Sequence, residues 1–167
     1  ILGVSSGAAL GAVLGIYLSL PVAAIEALAF VGGLVAVFSV YALASAIRGR
    51  DPVAVLVLGG IVIGALLGSG VSLLKFLADP YNQLPAITFW LLGSLASVDQ
   101  SDLAVLAVPT VIGLVPLVLL RWRLDVMTLG DEEAAALGVN VQTVRIVVIA
   151  AATLMTAAAV SVGGIIG

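Results

Sequence analysis

Charged side chains are rare along this chain and fall between long apolar runs. Residues 1–25, 27–47, 52–74, 103–120 and 146–167 carry none. About 20 consecutive, mostly apolar residues cross the hydrocarbon core of a bilayer as a helix. The pattern therefore predicts an all-α membrane protein, a polytopic transmembrane bundle of about five spans near 5–20, 23–47, 53–77, 101–120 and 142–162. A charge at mid-bilayer costs about 2.5–3.5 kcal/mol on insertion scales, and the charges here sit at the ends of the runs. Glu26 and Lys75, close to such ends, can reach an interface with their long side chains. Residues 1–167 read as a single transmembrane domain. Ile1 lies inside an apolar run and Gly167 inside a glycine-rich one, so the chain reads as an internal piece of a longer protein.

Arginines set the expected orientation. Arg48, Arg50, Arg121, Arg123 and Arg145 fall at one end of a five-span arrangement, and Lys75 alone at the other. Basic residues accumulate on the cytoplasmic side, which puts the linkers 48–52 and 121–141 there. Tyr81, Phe89, Trp90 and Trp122 fall near the expected interfaces, as aromatic belts do. On the outer side, the linker 78–100 holds an apolar stretch of about ten residues, from Ala86 to Leu95, too short to span. Pro85 suits the first turn of a short helix and Gly93 its end. That helix either borders a path as a re-entrant element or lies on the surface; the pattern fits both.

Within the spans, Gly7, Gly11 and Gly15 recur every fourth residue, and so do Gly60, Gly64 and Gly68. Such stripes let helix backbones approach closely, as a packed bundle requires.

Composition narrows the function. The chain is 63% hydrophobic and 9% charged, with a net charge of −3. A soluble domain carries about 25% charged residues, so a soluble enzyme or binding module is excluded, and there is no basic excess for nucleic acid. Histidine and cysteine are absent. Histidine-based triads, thiol nucleophiles and Cys/His metal sites cannot be built from these residues, and no catalytic or metal-binding residue is expected. No acid lies at mid-span, against an ion-coupled carrier or an aspartyl intramembrane protease. A carrier or channel independent of an ATPase, and a purely structural membrane subunit, remain as rival classes.

The linker after residue 120 carries the sharpest pattern. Thr128-Leu129-Gly130-Asp131 resembles a capping box. Asp131, Glu132 and Glu133 cluster where a helix dipole favours anions. Ala134, Ala135, Ala136 and Leu137 follow, and Gly138 suits the stop. A two-turn helix of this kind is too short to be stable alone. It is either a docking element for a soluble partner, with its small face in a groove, or a solvated linker.

The segment from Leu129 to Val141 resembles the coupling-helix segment of the FecCD/BtuC-type permeases, the membrane subunits of ABC importers. Leu129, Gly130, Ala134, Leu137, Gly138 and Val139 match its pattern L-G-x-x-x-A-x-x-L-G-V. Leu2 to Gly11 resembles the family's L-G-V-S-S-G-A opening of a core helix. Phe89 to Leu95 resembles its F-W-x-x-G-S-L run, with Ser101-Asp102-Leu103 after it. Val162 to Gly167 resembles its A-G-x-I-G-F exit, with Gly164 where Pro or Ala is usual. The resemblance covers essentially the whole chain.

It implies a homodimeric permease of the prokaryotic plasma (inner) membrane, of which this chain would be the middle part. Two ATPase subunits holding ATP-Mg would dock on Leu129, Gly130, Asp131, Glu132, Glu133, Ala134, Leu137 and Gly138, and a substrate-binding protein would deliver cargo outside. This chain itself would be no enzyme and would bind no cofactor. Its path would run past Gly59, Gly60, Gly64, Gly68 and Ser69, and Asp51, Pro52 and Val53 would lie near a cytoplasmic gate. Substrates in the family are iron-siderophores, haem, cobalamin (vitamin B12) and molybdate, and Gln83 to Ile87 faintly resembles the molybdate branch.

Overall fold

The computed structural model describes residues 3–46, 52–93 and 100–165. Eight helices follow one another there: α1 (Val4–Tyr17), α2 (Val22–Ala46), α3 (Pro52–Leu77), α4 (Gln83–Leu92), α5 (Gln100–Leu119), α6 (Arg121–Met127), α7 (Asp131–Ala136) and α8 (Val141–Gly163). No strand occurs among the described residues.

Three helices, α2, α3 and α8, are long and apolar enough to cross a membrane. With 25, 26 and 23 residues, each exceeds the roughly 30 Å of a hydrocarbon core at about 1.5 Å per residue. α5 and α6 meet at a 62° bend at Leu120, and counted together as one broken element they would make a fourth. The expected fourth span, 101–120, coincides with α5, but the chain then turns into α6, which the charge pattern did not mark. Pro109 and Pro116 lie inside α5 and remove two rungs of its hydrogen-bond ladder.

The expected first span, 5–20, is a shorter helix. α1 has 14 residues, about 21 Å, below the hydrocarbon thickness. Gly3, at its head, lies level with Gly60 and Gly64 in the middle of α3. From there α1 runs only to the end of the bundle where α4 sits.

Chain direction gives the bundle two ends. The turns after α1, α3 and α8 gather at the α4 end, and α6, α7 and the start of α8 at the α7 end. α1 and α2 are the most intimately packed pair; α3 packs on both, and α8 packs on the same pair and carries α5. Small residues make this possible. A Cβ at Gly11 would fall on the Leu28 carbonyl oxygen, and one at Gly7 on that of Gly32. Ala8, Ala12 and Ala29 are buried between the two helices.

The buried interior is mostly Ala, Val and Gly, which keeps backbones close where hydrophobicity alone gives no drive between helices in lipid. Hydroxyls bond back to their own helices, as Ser39 does to Val35 O and Thr156 to Ala152 O. No buried side-chain nitrogen or oxygen among the described residues lacks a partner, as an apolar surrounding demands.

At the α4 end, Pro85 falls in the first turn of α4 and Gly93 closes it at φ 65°. Gln83 Nε2 donates to Tyr17 O at 2.9 Å, pinning α4 on the end of α1. Ile87 is fully buried there with Val13 and Ala78.

Candidate functional site at the α7 end

The segment 120–145 is a chain of local decisions. Leu120 and Leu124 continue the hydrogen bonding across the bend (Leu120 N–H to Pro116 O, Leu124 N–H to Leu120 O, both 2.9 Å). α6 ends in overlapping turns at Thr128, Leu129 and Gly130. The expected capping box does not form. The Thr128 hydroxyl donates backward to Asp125 O at 2.7 Å, because Thr128 closes α6 instead of opening α7. The residue before α7 is Gly130, at φ 128° and ψ 159° with no side-chain cap. That region is essentially glycine-only, which accounts for Gly130 in chemical terms.

α7 stops by a Schellman motif. Val139 N–H donates to Ala134 O, and Gly138 N–H to Ala135 O, both at 3.0 Å. Gly138 takes the left-handed conformation at φ 81°, and Val139 packs back on Ala134, as the motif prescribes. Asn140 then caps α8, its Oδ1 accepting from Thr143 N–H at 3.1 Å. Asn before an apolar run is a recognisable cap signal, and it starts α8 at Val141, one residue ahead of the expected 142.

The exposed face of this turn comprises Leu129, Glu132, Glu133, Ala136 and Leu137, with Leu129 and Leu137 63% and 58% exposed. Ala134, expected on a docking face, is fully buried with Val139 and Val144, against Leu124, Val126 and Met127. Asp131 is exposed but leans toward α8, where Arg145 Nη2 reaches both its carboxylate oxygens at 2.8 and 3.1 Å. Beside the pair opens a cleft of about 600 Å³, lined by Tyr41, Ser45, Leu56, Ala135 and Gln142 among others.

The residues expected along a path separate into two sets. Gly59 and Gly60 are buried; Gly59 faces Val40 and Leu43 of α2, while Gly60 and Gly64 face Gly3 and Ser6. These three serve helix packing. Gly68 has nothing within 4 Å of a built Cβ, and Ser69, bonded to Ala65 O, is exposed. Beside them Ile61, Leu66, Leu73 and Phe76 form an uncovered face of α3. Of the expected gate residues, Asp51 lies outside the described residues, as does the rest of 47–51. Pro52 and Val53 open α3, and their side chains are likewise outside the description. Among the described residues no group of acids could hold a metal ion.

Outside the spans, the turn before α4 is tied by Asp79. Its carboxylate accepts from the Tyr81 backbone N–H at 2.9 Å and the Asn82 amide at 3.1 Å. Those two bonds, the backbone one foremost, hold Asp79 below the usual carboxylate range. Two glycine-rich stretches also meet at this end. A Cβ on Gly164 would lie 2.8 Å from the Gly93 Cα, and Gly164 sits at φ 72°. That close approach is the reason glycine stands at 164.

Comparison with known proteins agrees with this architecture. Over 168 residues the chain is 38% identical to the cobalamin import system permease protein BtuC of Halobacterium salinarum, covering 100% of this chain and 45% of that protein. It is 37% identical to the hemin transport system permease protein HmuU of Yersinia pestis, covering 100% and 51%. The chain thus spans about half the length of the curated relatives it matches. A solved chain of a metal-chelate type ABC transporter, in an inward-facing conformation, superposes with a TM-score of 0.91 at 31% identity, over 99% of this chain and 52% of that one. The FecCD transport family model matches residues 1–167, and with its apolar crossing helices this chain belongs to that family of multi-pass integral membrane proteins.

Proposed function

We propose that the chain is the central part of a permease subunit of an ATP-binding-cassette importer. The observation that carries this reading is the α6–α7 turn. It is a short acidic helix with an exposed apolar and small-residue face, held outside the spans by bonds to α6 and α8. Nothing in a lipid-embedded bundle requires such a helix. A soluble partner that pulls on it does.

Arg121, Arg123 and Arg145 cluster at this end, with Arg48 and Arg50 in the linker between α2 and α3, while Lys75 stands at the other. The positive-inside rule then makes the α7 end cytoplasmic. Two ATPase subunits holding ATP-Mg dock there, through Leu129, Glu132, Glu133, Ala136 and Leu137, with Gly130, Ala134 and Gly138 shaping the helix from within. A binding protein delivers substrate at the α4 end. A second copy covers the uncovered face of α3, so that the path runs between copies past Gly68 and Ser69, with residues 51–53 near its cytoplasmic gate. Gly59, Gly60 and Gly64 support that face from behind. The cargo class is a metal chelate, a tetrapyrrole or a related metal-containing compound, in keeping with the cobalamin, hemin and metal-chelate systems among the relatives.

Co-purification tests the reading. The full-length permease is tagged and co-expressed with its neighbouring ATPase gene, alongside Leu137→Glu and Leu129→Glu, which alter exposed positions only. Capture by the wild type and loss in the variants is expected. A folded wild type that captures no ATPase refutes it and favours a carrier independent of ATP.

A further inference from the structure

Apart from the short turn through Gly138 and Asn140 that leads into α8, α7 is fastened to the bundle in two different ways. Beneath it, Ala134 joins Val139 and Val144 in a buried apolar cluster. Such contacts are non-directional; they hold the helices together while leaving rotation and sliding cheap. Beside it, Arg145 grips Asp131 through Nη2, at 2.8 and 3.1 Å to the two carboxylate oxygens. Asp131 is the first residue of α7, and Arg145 lies in the second turn of α8. The Arg145 side chain is 24% exposed and that of Asp131 56%, so the arginine is the fixed end of the link. A charge-assisted bond to a planar, pre-organised guanidinium is directional and resists both motions.

The cleft of about 600 Å³ stands between α7 and the ends of α2 and α3, and α7 packs on α6 and α8. α8 in turn packs on α1, α2 and α5. We infer that the Asp131–Arg145 pair is a strut: it positions α7 on α8, so that a displacement imposed on α7 is delivered to α8 and not dissipated in the cleft. Asp131 is thereby a positioning residue, set apart from the equally exposed Glu132 and Glu133 by its pair with Arg145. The inference rests on the importer reading above and specifies its transmission.

The test uses the full-length permease assembled with its ATPase subunits. Spin labels at Tyr81, in the turn before α4, and at Ala159, on α8, report the distance change on adding ATP-Mg. Asp131→Arg and Arg145→Asp are compared with the exchanged double variant, and Asp131→Asn and Arg145→Lys keep the test alive if a charge reversal fails to fold. The Arg145 variants are expected to capture the ATPase as the wild type does, while the shifted fraction falls about three-fold in every single variant that holds its ATPase, the scale of a half-exposed charge-assisted pair. The exchanged double variant recovers it. An unchanged shift in the single variants, loss of ATPase capture in the Arg145 variants, no recovery in the double variant, or no shift in a wild type that holds its ATPase overturns the strut. A wild type that holds no ATPase overturns the importer reading and the strut together.

Discussion

Gly11 and Gly68 belong to stripes with the same four-residue spacing, yet replacing each by alanine should act in opposite directions. At Gly11 the new Cβ would land on the Leu28 carbonyl oxygen, with Leu28 C at 2.7 Å and Ala29 N at 3.1 Å. Carbon contacts are comfortable at about 3.5–4.0 Å, so α1 and α2 must part locally by about 1 Å. The obstructing atoms are backbone, and no rotamer change relieves them. Overpacking of a tight interior costs about 1–3 kcal/mol, and a backbone obstruction belongs at the upper end, about 3. Alanine regains about 1 kcal/mol of helix propensity over glycine, leaving Gly11→Ala about 2 kcal/mol less stable. At Gly68, on the side proposed to border the path, nothing of this chain lies within 4 Å, so within one copy only the propensity gain of about 1 kcal/mol remains. The two variants should therefore differ by about 3 kcal/mol in reversible unfolding of the full-length protein, titrated with SDS in mixed micelles. A difference within about 0.5 kcal/mol, the ordinary spread of surface substitutions, would refute the packing argument.

Three further outcomes are expected. Gly130→Ala puts a side chain at φ 128° and against Glu133; a cost of about 1–3 kcal/mol falls on α7 alone, read as faster proteolysis after α6 with the spans unaffected. Asn140→Ala removes the cap of α8 and should destabilise by about 1 kcal/mol, seen as faster hydrogen exchange at the Thr143 amide in its first turn. Asp79, held below its usual range, adds stability that is complete above the unfolded carboxylate value of about 3.9 and is lost as pH falls through its lower folded value. Exchange at the Tyr81 amide should therefore accelerate on acidification beyond its intrinsic pH dependence in the wild type, and lack that excess in Asp79→Asn.

What the sequence determined by itself was set by local quantities. The length of an apolar run fixes whether a helix can span, so 23–47, 53–77 and 142–162 return as α2, α3 and α8 within a residue at either end. Pro85 and Gly93 bound α4, and Gly138 stops α7, because each imposes a backbone conformation on its own residue. Tertiary structure decided everything that depends on which face meets which. Two glycine stripes alike on paper became a crossing of α1 and α2 in one case and, in the other, a stripe split between packing at Gly60 and Gly64 and open space at Gly68. Ala134, expected on an outward face of α7, lies in the cluster beneath it. Thr128 gave its hydroxyl to Asp125 because a bend of 62° at Leu120 created α6, and apolar count does not record a bend. Asp131 and Arg145 stand 14 residues apart. Only the return of the chain into α8 brings them together, since a charge pair is chosen by distance in space and not along the sequence.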